Sequence, residues 1–232
     1  TNIHAHNFDT DDNSTFLTLV NKILIENRLI NNSIAVAGND SNQSLAPGYI
    51  KNIEKIIDDI VISEDSFVVD SDQFYNNTII AVVVANLADE VLRKYRASFG
   101  VPSNVMLSMN FTNIINIENN TNTNNNALNP SNHYNLVNMD VGNNSIDSLN
   151  DKSEYYNALE ISDRMIEIYN KDLNESLSDS SQKNTSLSNL KDALYELNKD
   201  INQLDPPSKI MEIIHGKIHP NLQLAFNLTL KR

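Results

Sequence analysis

Apolar residues recur every three or four positions through the first hundred residues of the chain. Between residues 14 and 30, one helical face carries Phe16, Val20, Ile23, Leu24 and Ile30. A polar loop follows, and Pro47 then suits the first turn of a second helix. The apolar face of that helix is formed by Ile50, Ile53, Ile57 and Ile60. The spacing predicts two amphipathic helices, which are antiparallel if the loop between them is short.

A third helix is predicted to begin at the capping sequence Asp70-Ser71-Asp72 and to end at Phe99, before Gly100 and Pro102. Residues 78–84 are rich in β-branched side chains and resemble a strand. However, the helical spacing continues for three more turns, through Ile80, Val84, Leu87, Val91 and Tyr95. A helix that is apolar on most sides is usually the most buried one, so this segment is predicted to be central.

The last third of the chain has the clearest pattern. Asp151 and Glu154 form a capping-box-like start. The helix that follows carries Tyr155, Leu159, Ile166, Tyr169 and Leu173 on one face. Next comes a heptad seam of Leu187, Leu190, Leu194, Leu197, Ile201 and Leu204, typical of a helix packed lengthwise against others. Pro206-Pro207 begins a final helix, which Pro220 breaks or kinks.

Residues 100–150 differ in composition, because Asn dominates them. Their apolar anchors, against the core or a partner, are expected to be Val105, Met106, Leu107, Met109, Phe111, Ile114, Ile115 and Ile117. The chain is therefore predicted to be all-α, an antiparallel helix bundle with a long Asn-rich insertion between the third and fourth helices. Residues 1–232 form a single helical domain in this interpretation: an N-terminal arm (1–13), three helices (14–99), the insertion (100–150) and the C-terminal helices (151–232).

Charge and composition exclude several function classes. The formal net charge of −13 opposes binding to nucleic acid or to anionic membranes. The absence of Cys excludes disulfides and thiolate metal sites. Neither a phosphate-binding glycine loop nor a GxSxG nucleophile elbow occurs. The paired carboxylates Asp58-Asp59 and Asp89-Glu90 are interpreted as solvated helix faces. We therefore expect a non-catalytic protein without an organic cofactor.

Asn-linked glycosylation signals indicate export. The chain contains 39 Asn, and eleven begin an Asn-x-Ser/Thr triplet, about twice the number expected by chance. They are Asn13, Asn31, Asn39, Asn42, Asn76, Asn110, Asn119, Asn143, Asn174, Asn184 and Asn227. Thr1 is consistent with removal of a signal peptide, and no stretch reaches the 18 or so apolar residues of a membrane span. The expectation is an extracytoplasmic protein, soluble or attached through a partner, that carries N-linked glycans.

The final helix carries the strongest candidate for a metal site. Glu212, His215 and His219 form a Glu-x-x-His-x-x-x-His pattern on one face if the helix continues through Pro220. Two imidazoles one turn apart, with a carboxylate as third ligand, suit copper or zinc, and His4 and His6 offer further donors. The alternative is ordinary hydrogen bonding by polar residues on a kinked helix.

A calcium site is a weaker alternative near the N-terminus. Asp9, Asp11 and Asp12 resemble the start of an EF-hand loop, but Ser14 and Val20 stand where the loop needs Gly and Glu. A looser calcium site and a helix-capping acidic turn both remain open for these residues.

Two segments resemble exported α-helical proteins of ammonia-oxidising archaea. They are Ile213-Ile-His-Gly-Lys-Ile-His-Pro-Asn-Leu222, and Ala88-Asp-Glu-Val-Leu-Arg-Lys-Tyr95 before a Gly-Val-Pro turn. The resemblance as a whole extends over about a quarter of the chain. The resemblance implies a cell-surface or pseudoperiplasmic location. It also implies a partner class, the membrane complexes of ammonia oxidation such as ammonia monooxygenase. It implies no functional residues.

Three functions follow as hypotheses. The first is a non-catalytic accessory or scaffolding subunit of a larger extracytoplasmic assembly, with a protein partner. The second is an extracytoplasmic copper- or zinc-binding protein that uses His215 and His219. The third is a ligand-sensing helical bundle cut from a receptor.

Overall fold

The computed structural model describes residues 11–37, 45–62, 68–101, 145–174 and 181–229, and these are almost entirely helical. The α-helices are α1 (Asp12–Ala37), α2 (Ala46–Ile62), α3 (Asn77–Ser98), α4 (Lys152–Ile168), α5 (Ser181–Asn202), α6 (Pro207–Ile213) and α7 (His219–Phe226). No strand occurs among these residues, so the all-α prediction is confirmed for this part of the chain. The N-terminal arm to residue 10 and most of the Asn-rich insertion, with its predicted anchors, lie outside it.

Helices α3 and α4 begin at residues whose side chains cap them. The Asp151 carboxylate accepts a hydrogen bond from the backbone N–H of Glu154 at 3.1 Å, as the sequence predicted for α4. The third helix differs from its prediction. Asp70 caps only a 3₁₀ turn, Ser71–Tyr75, and α3 begins after it. Asn76 has extended backbone and accepts from the N–H of Thr78 at 2.9 Å, so it is the N-cap of α3.

Helix α3 lies at the centre of the core, as its apolar composition predicted. Its buried apolar residues are Ile79, Ile80, Ala81, Val82, Val83, Val84, Ala85, Leu87, Ala88, Val91 and Tyr95. The helix packs against α1, α4, α6 and α7. Because so much of its circumference is covered, polar side chains of α3 such as Asp89 and Lys94 lie beside residues of neighbouring helices.

Specific contacts give the directions of the neighbouring helices. The α3 residue Lys94 pairs with Glu154 near the start of α4. Tyr169, directly after α4, donates to the carbonyl of Leu187 on α5 at 2.9 Å, and Asn198 on α5 donates to the Ser162 hydroxyl on α4 at 2.8 Å. Later residues of α4 therefore meet earlier residues of α5, and the two helices run in opposite directions.

The predicted heptad seam is buried along its whole length. Leu187, Leu190, Leu194, Leu197, Ile201 and Leu204 are all core residues. Five of them lie on α5, and Leu204 follows its end with a positive φ of 56°. Tyr95 of α3 donates to the carbonyl of Asp205 at 2.6 Å, which fastens the turn after α5 to the central helix.

Helix α2 is rotated relative to the face that the sequence predicted. Its buried residues are Ala46, Tyr49 and Ile56, whereas Ile50 and Ile57 are nearly half exposed. Tyr49 hydrogen-bonds Ser153 at the start of α4, and burial raises its pKa to about 12. Burying this aromatic ring turns the helix by about one residue, because Tyr49, Ile53, Ile56 and Ile60 then form the inner stripe.

None of the described helices combines the length and the apolar character needed to cross a bilayer.

Candidate functional site

Three potential metal ligands from distant parts of the chain meet between α3 and the C-terminal helices. They are Asp89 of α3, His215 of the turn before α7, and His219, the first residue of α7. One ligand atom from each lies within 4.8 Å of the other two. The side chain of His219 is 6% exposed and that of Asp89 is 27% exposed, so the group lies just beneath the surface.

A π turn, Ile214–Ile218, contains His215 and is followed directly by His219. Pro220 has no N–H and its ring would clash with the carbonyl four residues earlier, so a regular α-helix cannot pass through it. The chain widens instead, and the His219 N–H donates to the carbonyl of Ile214, five residues back. The kink predicted at Pro220 thus takes the form of a π turn. Such turns inside helices are frequent at functional sites.

The site is compact and electrostatically unusual. The Nε2 atom of His219 lies 3.4 Å from Oδ1 of Asp89. The two imidazole rings are nearly perpendicular, with centroids 5.1 Å apart. Burial raises the pKa of Asp89 to about 7, since the charged form loses its hydration. A bound cation would favour the carboxylate form and replace that lost hydration.

Two imidazoles and a carboxylate are a ligand set that zinc accepts, with the fourth position left for water or another ligand. Ligand atoms about 2.1 Å from a tetrahedral zinc lie roughly 3.4 Å from each other. The His219–Asp89 separation of 3.4 Å already matches this value. The remaining atoms, within 4.8 Å, would have to move by about 1 Å to close the site.

The structure brings together two of the three residues singled out in the final helix. Glu212 is exposed and does not belong to the group, whose carboxylate comes from Asp89 instead. The interpretation of Asp89-Glu90 as a solvated face is wrong, because both residues are partly buried and Glu90 pairs with Lys22 and Arg93. Asp58 and Asp59 are exposed, as expected. A carboxylate on the most apolar helix was the available signal for Asp89.

The acidic residues near the N-terminus have structural partners. Asp11 accepts from the Ser14 N–H at 2.7 Å, and Asp12 accepts from the Val68 N–H at 3.1 Å. The Asp11 contact fits the capping alternative, whereas Asp12 ties the start of α1 to the segment before the 3₁₀ turn. Asp9, His4 and His6 lie outside the described residues.

The glycosylation candidates are distributed over both parts of the chain. Asn31, Asn76, Asn174 and Asn227 are exposed, and Asn13 and Asn184 are half buried. Asn39, Asn42, Asn110, Asn119 and Asn143 lie outside the described residues. Glycosylation itself stays a prediction.

A second polar group, which the sequence did not reveal, lies between α1, α3 and α4. Lys94 Nζ is 2.8 Å from Oε2 of Glu154, and the Lys94 side chain is only 8% exposed. Glu26 is buried nearby and accepts from Asn52 of α2 at 3.0 Å. Burial raises the pKa of Glu26, and the positive charge of Lys94 opposes that rise. This arrangement links four helices and resembles a structural ion cluster.

Comparison of the chain with protein-family models, with curated proteins and with solved structures gives no match. Functional assignment therefore depends on the chemistry of the residues themselves.

Proposed function

We propose that this protein binds a divalent transition metal, Zn²⁺ or Cu²⁺, through Asp89, His215 and His219. The observation that carries the proposal is the convergence of these three side chains, two from one kinked segment and one from the central helix. A pair of histidines one turn apart is common on helices. A partly buried carboxylate 3.4 Å from one of them is not required by their sequence spacing.

The ligand chemistry favours zinc and copper(II) over other ions. Imidazole suits Zn²⁺ and Cu²⁺, whereas Ca²⁺ and Mg²⁺ prefer a shell made of oxygen atoms. Copper(I) prefers sulfur ligands, and the group of Asp89, His215 and His219 offers only nitrogen and oxygen. Three protein ligands leave a coordination position open, which suits a protein that accepts and releases its metal or presents it to another molecule.

A pair of carboxyl substitutions tests the site. Asp89→Asn is expected to weaken zinc binding by at least about 100-fold, because loss of even an outer-shell partner commonly costs 10–100-fold. Glu212→Gln should change the affinity by less than about two-fold, since Glu212 is exposed and outside the group. Competition with a chromophoric zinc chelator at constant pH measures the zinc affinities of both variants. The His215→Ala/His219→Ala variant shows the signal expected when binding is lost.

The same titration can contradict the proposal in two ways. Wild-type protein that fails to compete for zinc, and for copper(II) in a parallel titration, has no such site. A loss of affinity in Glu212→Gln with none in Asp89→Asn would instead favour the ligand set inferred from the final helix alone. Zinc should also raise the thermal stability of wild-type protein but not of Asp89→Asn, because only a ligand that binds the folded state stabilises it.

A second candidate function is that of a non-catalytic accessory subunit in an extracytoplasmic assembly, built as an antiparallel helix bundle. The observation that favours it is the outer face of α2, where Ile50, Ile57 and Val61 are 47%, 46% and 57% exposed. Their spacing of seven and four residues places them on one helical face, as in helices that pack against an amphipathic partner. The partner proposed is therefore an amphipathic helix of another protein, with the membrane complexes of ammonia oxidation as the class that the resemblance implies.

Replacing two of these isoleucines tests the accessory role. We expect the Ile50→Ser/Ile57→Ser variant to fold, because both side chains are nearly half exposed. When the wild-type chain is isolated from its native host, a partner protein should co-purify with it in a constant ratio. That partner should be absent when the Ile50→Ser/Ile57→Ser variant is isolated in the same way. Leu224→Ser, which alters an exposed apolar residue on α7, is the matched control and should keep that protein. A wild-type chain that is always isolated alone would contradict this second function.

A further inference from the structure

A groove beside α1 has the character of a small-ligand site. It is formed by α1, the 3₁₀ turn Ser71–Tyr75, α3 and the end of α4, and its volume is about 240 Å³. Its lining includes none of Asp89, His215 and His219. From its shape and lining we infer that this groove binds an aromatic monocarboxylate.

The floor of the groove is apolar and rigid. Ile80 and Val83 of the central helix and Ile168 of α4 are buried core residues that line it, together with the half-buried Leu17. Contacts of this kind accept the flat body of an aromatic or alkyl ligand. Because these residues belong to packed helices, the floor is formed before any ligand arrives.

One wall of the groove is aromatic. Phe74 lines the groove and stacks on Phe16, with ring centroids 5.9 Å apart and planes 14° from parallel. Tyr75, beside it, is 85% exposed at the rim. The backbone before this turn is fastened to α1, because Asn13 accepts from the N–H of Asp70 at 2.8 Å. A fixed aromatic wall offers stacking to a planar ligand.

The opposite rim provides positive charge in a chain whose formal net charge is −13. Arg164 lines the groove and is oriented by bonds from Nε to Asn21 at 2.8 Å and from Nη1 to Glu167 at 2.9 Å. Lys171 is exposed on the same rim. Among the described residues that line the groove, Asp172 is the one with a negative charge. Because Glu167 already pairs with Arg164, Lys171 provides the positive charge for a ligand among the described lining groups, and a single cation complements a monoanion better than a phosphate dianion.

The size of the groove restricts the ligand further. Pockets for drug-sized ligands commonly measure about 300–1,000 Å³, so the groove, at about 240 Å³, suits a smaller molecule. A one- or two-ring body can lie on the apolar floor against Phe74. Its carboxylate would then reach the Arg164 and Lys171 side of the rim.

The experiment compares 1-naphthoate with 1-naphthalenemethanol, a neutral molecule of the same shape, by equilibrium dialysis against the full chain. Naphthoate is expected to bind at one site, at least about five-fold more tightly than the alcohol. Lys171→Gln should remove most of that preference, whereas Lys191→Gln, an exposed lysine on α5, should leave it unchanged. Phe74→Ala should weaken both ligands by a similar factor, because it removes the wall that the rings contact.

Several outcomes would overturn the inference. They are the absence of naphthoate binding, equal affinity for naphthoate and the alcohol, and a preference that survives Lys171→Gln. The inference would also be overturned if Phe74→Ala, shown to be folded by circular dichroism, bound both ligands as tightly as wild-type protein. The naphthoate affinity of Asp89→Asn should equal that of wild-type protein, so this site can succeed or fail independently of the proposed metal site.

Discussion

Lys94→Met is expected to lower the free energy of unfolding by about 3–5 kcal/mol, because it leaves the buried Glu26 and the partly buried Glu154 without their cation. The lysine side chain is 8% exposed and its Nζ lies 2.8 Å from Glu154. Its charge also opposes the burial that raises the pKa of Glu26. Methionine keeps most of the side-chain volume, so the expected loss reflects charge rather than a cavity. Urea denaturation at neutral pH measures it.

The pH dependence of this loss distinguishes an electrostatic cause from a packing defect. A carboxyl whose pKa is raised in the folded state binds protons there before it does in the unfolded state, so stability increases as the pH falls through the raised pKa. The free energies of unfolding of Lys94→Met and wild-type protein should therefore become more similar as the pH falls toward the ordinary pKa of glutamate. Adding Glu26→Gln should restore part of the loss at neutral pH. A difference in the free energy of unfolding that does not change with pH would contradict this account. Lys191→Met, which replaces an exposed lysine, is the control.

Leu197→Ala is expected to lower the free energy of unfolding by about 2–5 kcal/mol, through lost apolar burial and the cavity that remains. Leu197 is fully buried in the middle of the α5 seam, between Leu194 and Ile201. Because a domain of this kind is stable by only about 5–15 kcal/mol, the effect is a large fraction of the total. Urea denaturation with circular dichroism at a helical wavelength measures it.

The matched control for this substitution is Lys199→Ala, two residues along the same helix and exposed. It should change the free energy of unfolding by no more than about 0.5 kcal/mol. Similar effects of the two substitutions would mean that the seam is not packed lengthwise against other helices. A large loss at Leu197 alone supports the buried position that the heptad spacing indicated.

Most of the helical structure was predictable because its causes are local. Apolar spacing identified α1, the interior of α3 and the seam of α5 as helical, because each of these patterns depends on residues within a few turns of one another. The face predicted for α1 is wrong, since Leu24 is 43% exposed whereas Ile25 and Leu29 are buried. The Asp151 cap was equally visible, since a capping side chain and its N–H are three residues apart. The third helix was predicted to start too early, because Asp70 and Asn76 are both good caps and only the folded chain selects between them.

The candidate site was predictable only in part. His215 and His219 were found because their spacing is encoded in one segment, but Asp89 was not linked to them. A carboxylate on α3 becomes a neighbour of the final helix only when α3 and α7 pack together. The same reasoning applies to Lys94 and Glu26, whose charges look like ordinary surface residues in the sequence.

The sequence by itself determined which segments are helical, which of them is most apolar and where the final helix bends, because propensity, capping and the missing N–H of Pro220 act within a single turn. The tertiary structure alone decided which face α2 buries, which acidic side chain stands beside His219 and which lysine lies inside the core. These features depend on how whole helices are rotated against one another, and that rotation is set by the fit of many side chains from distant parts of the chain.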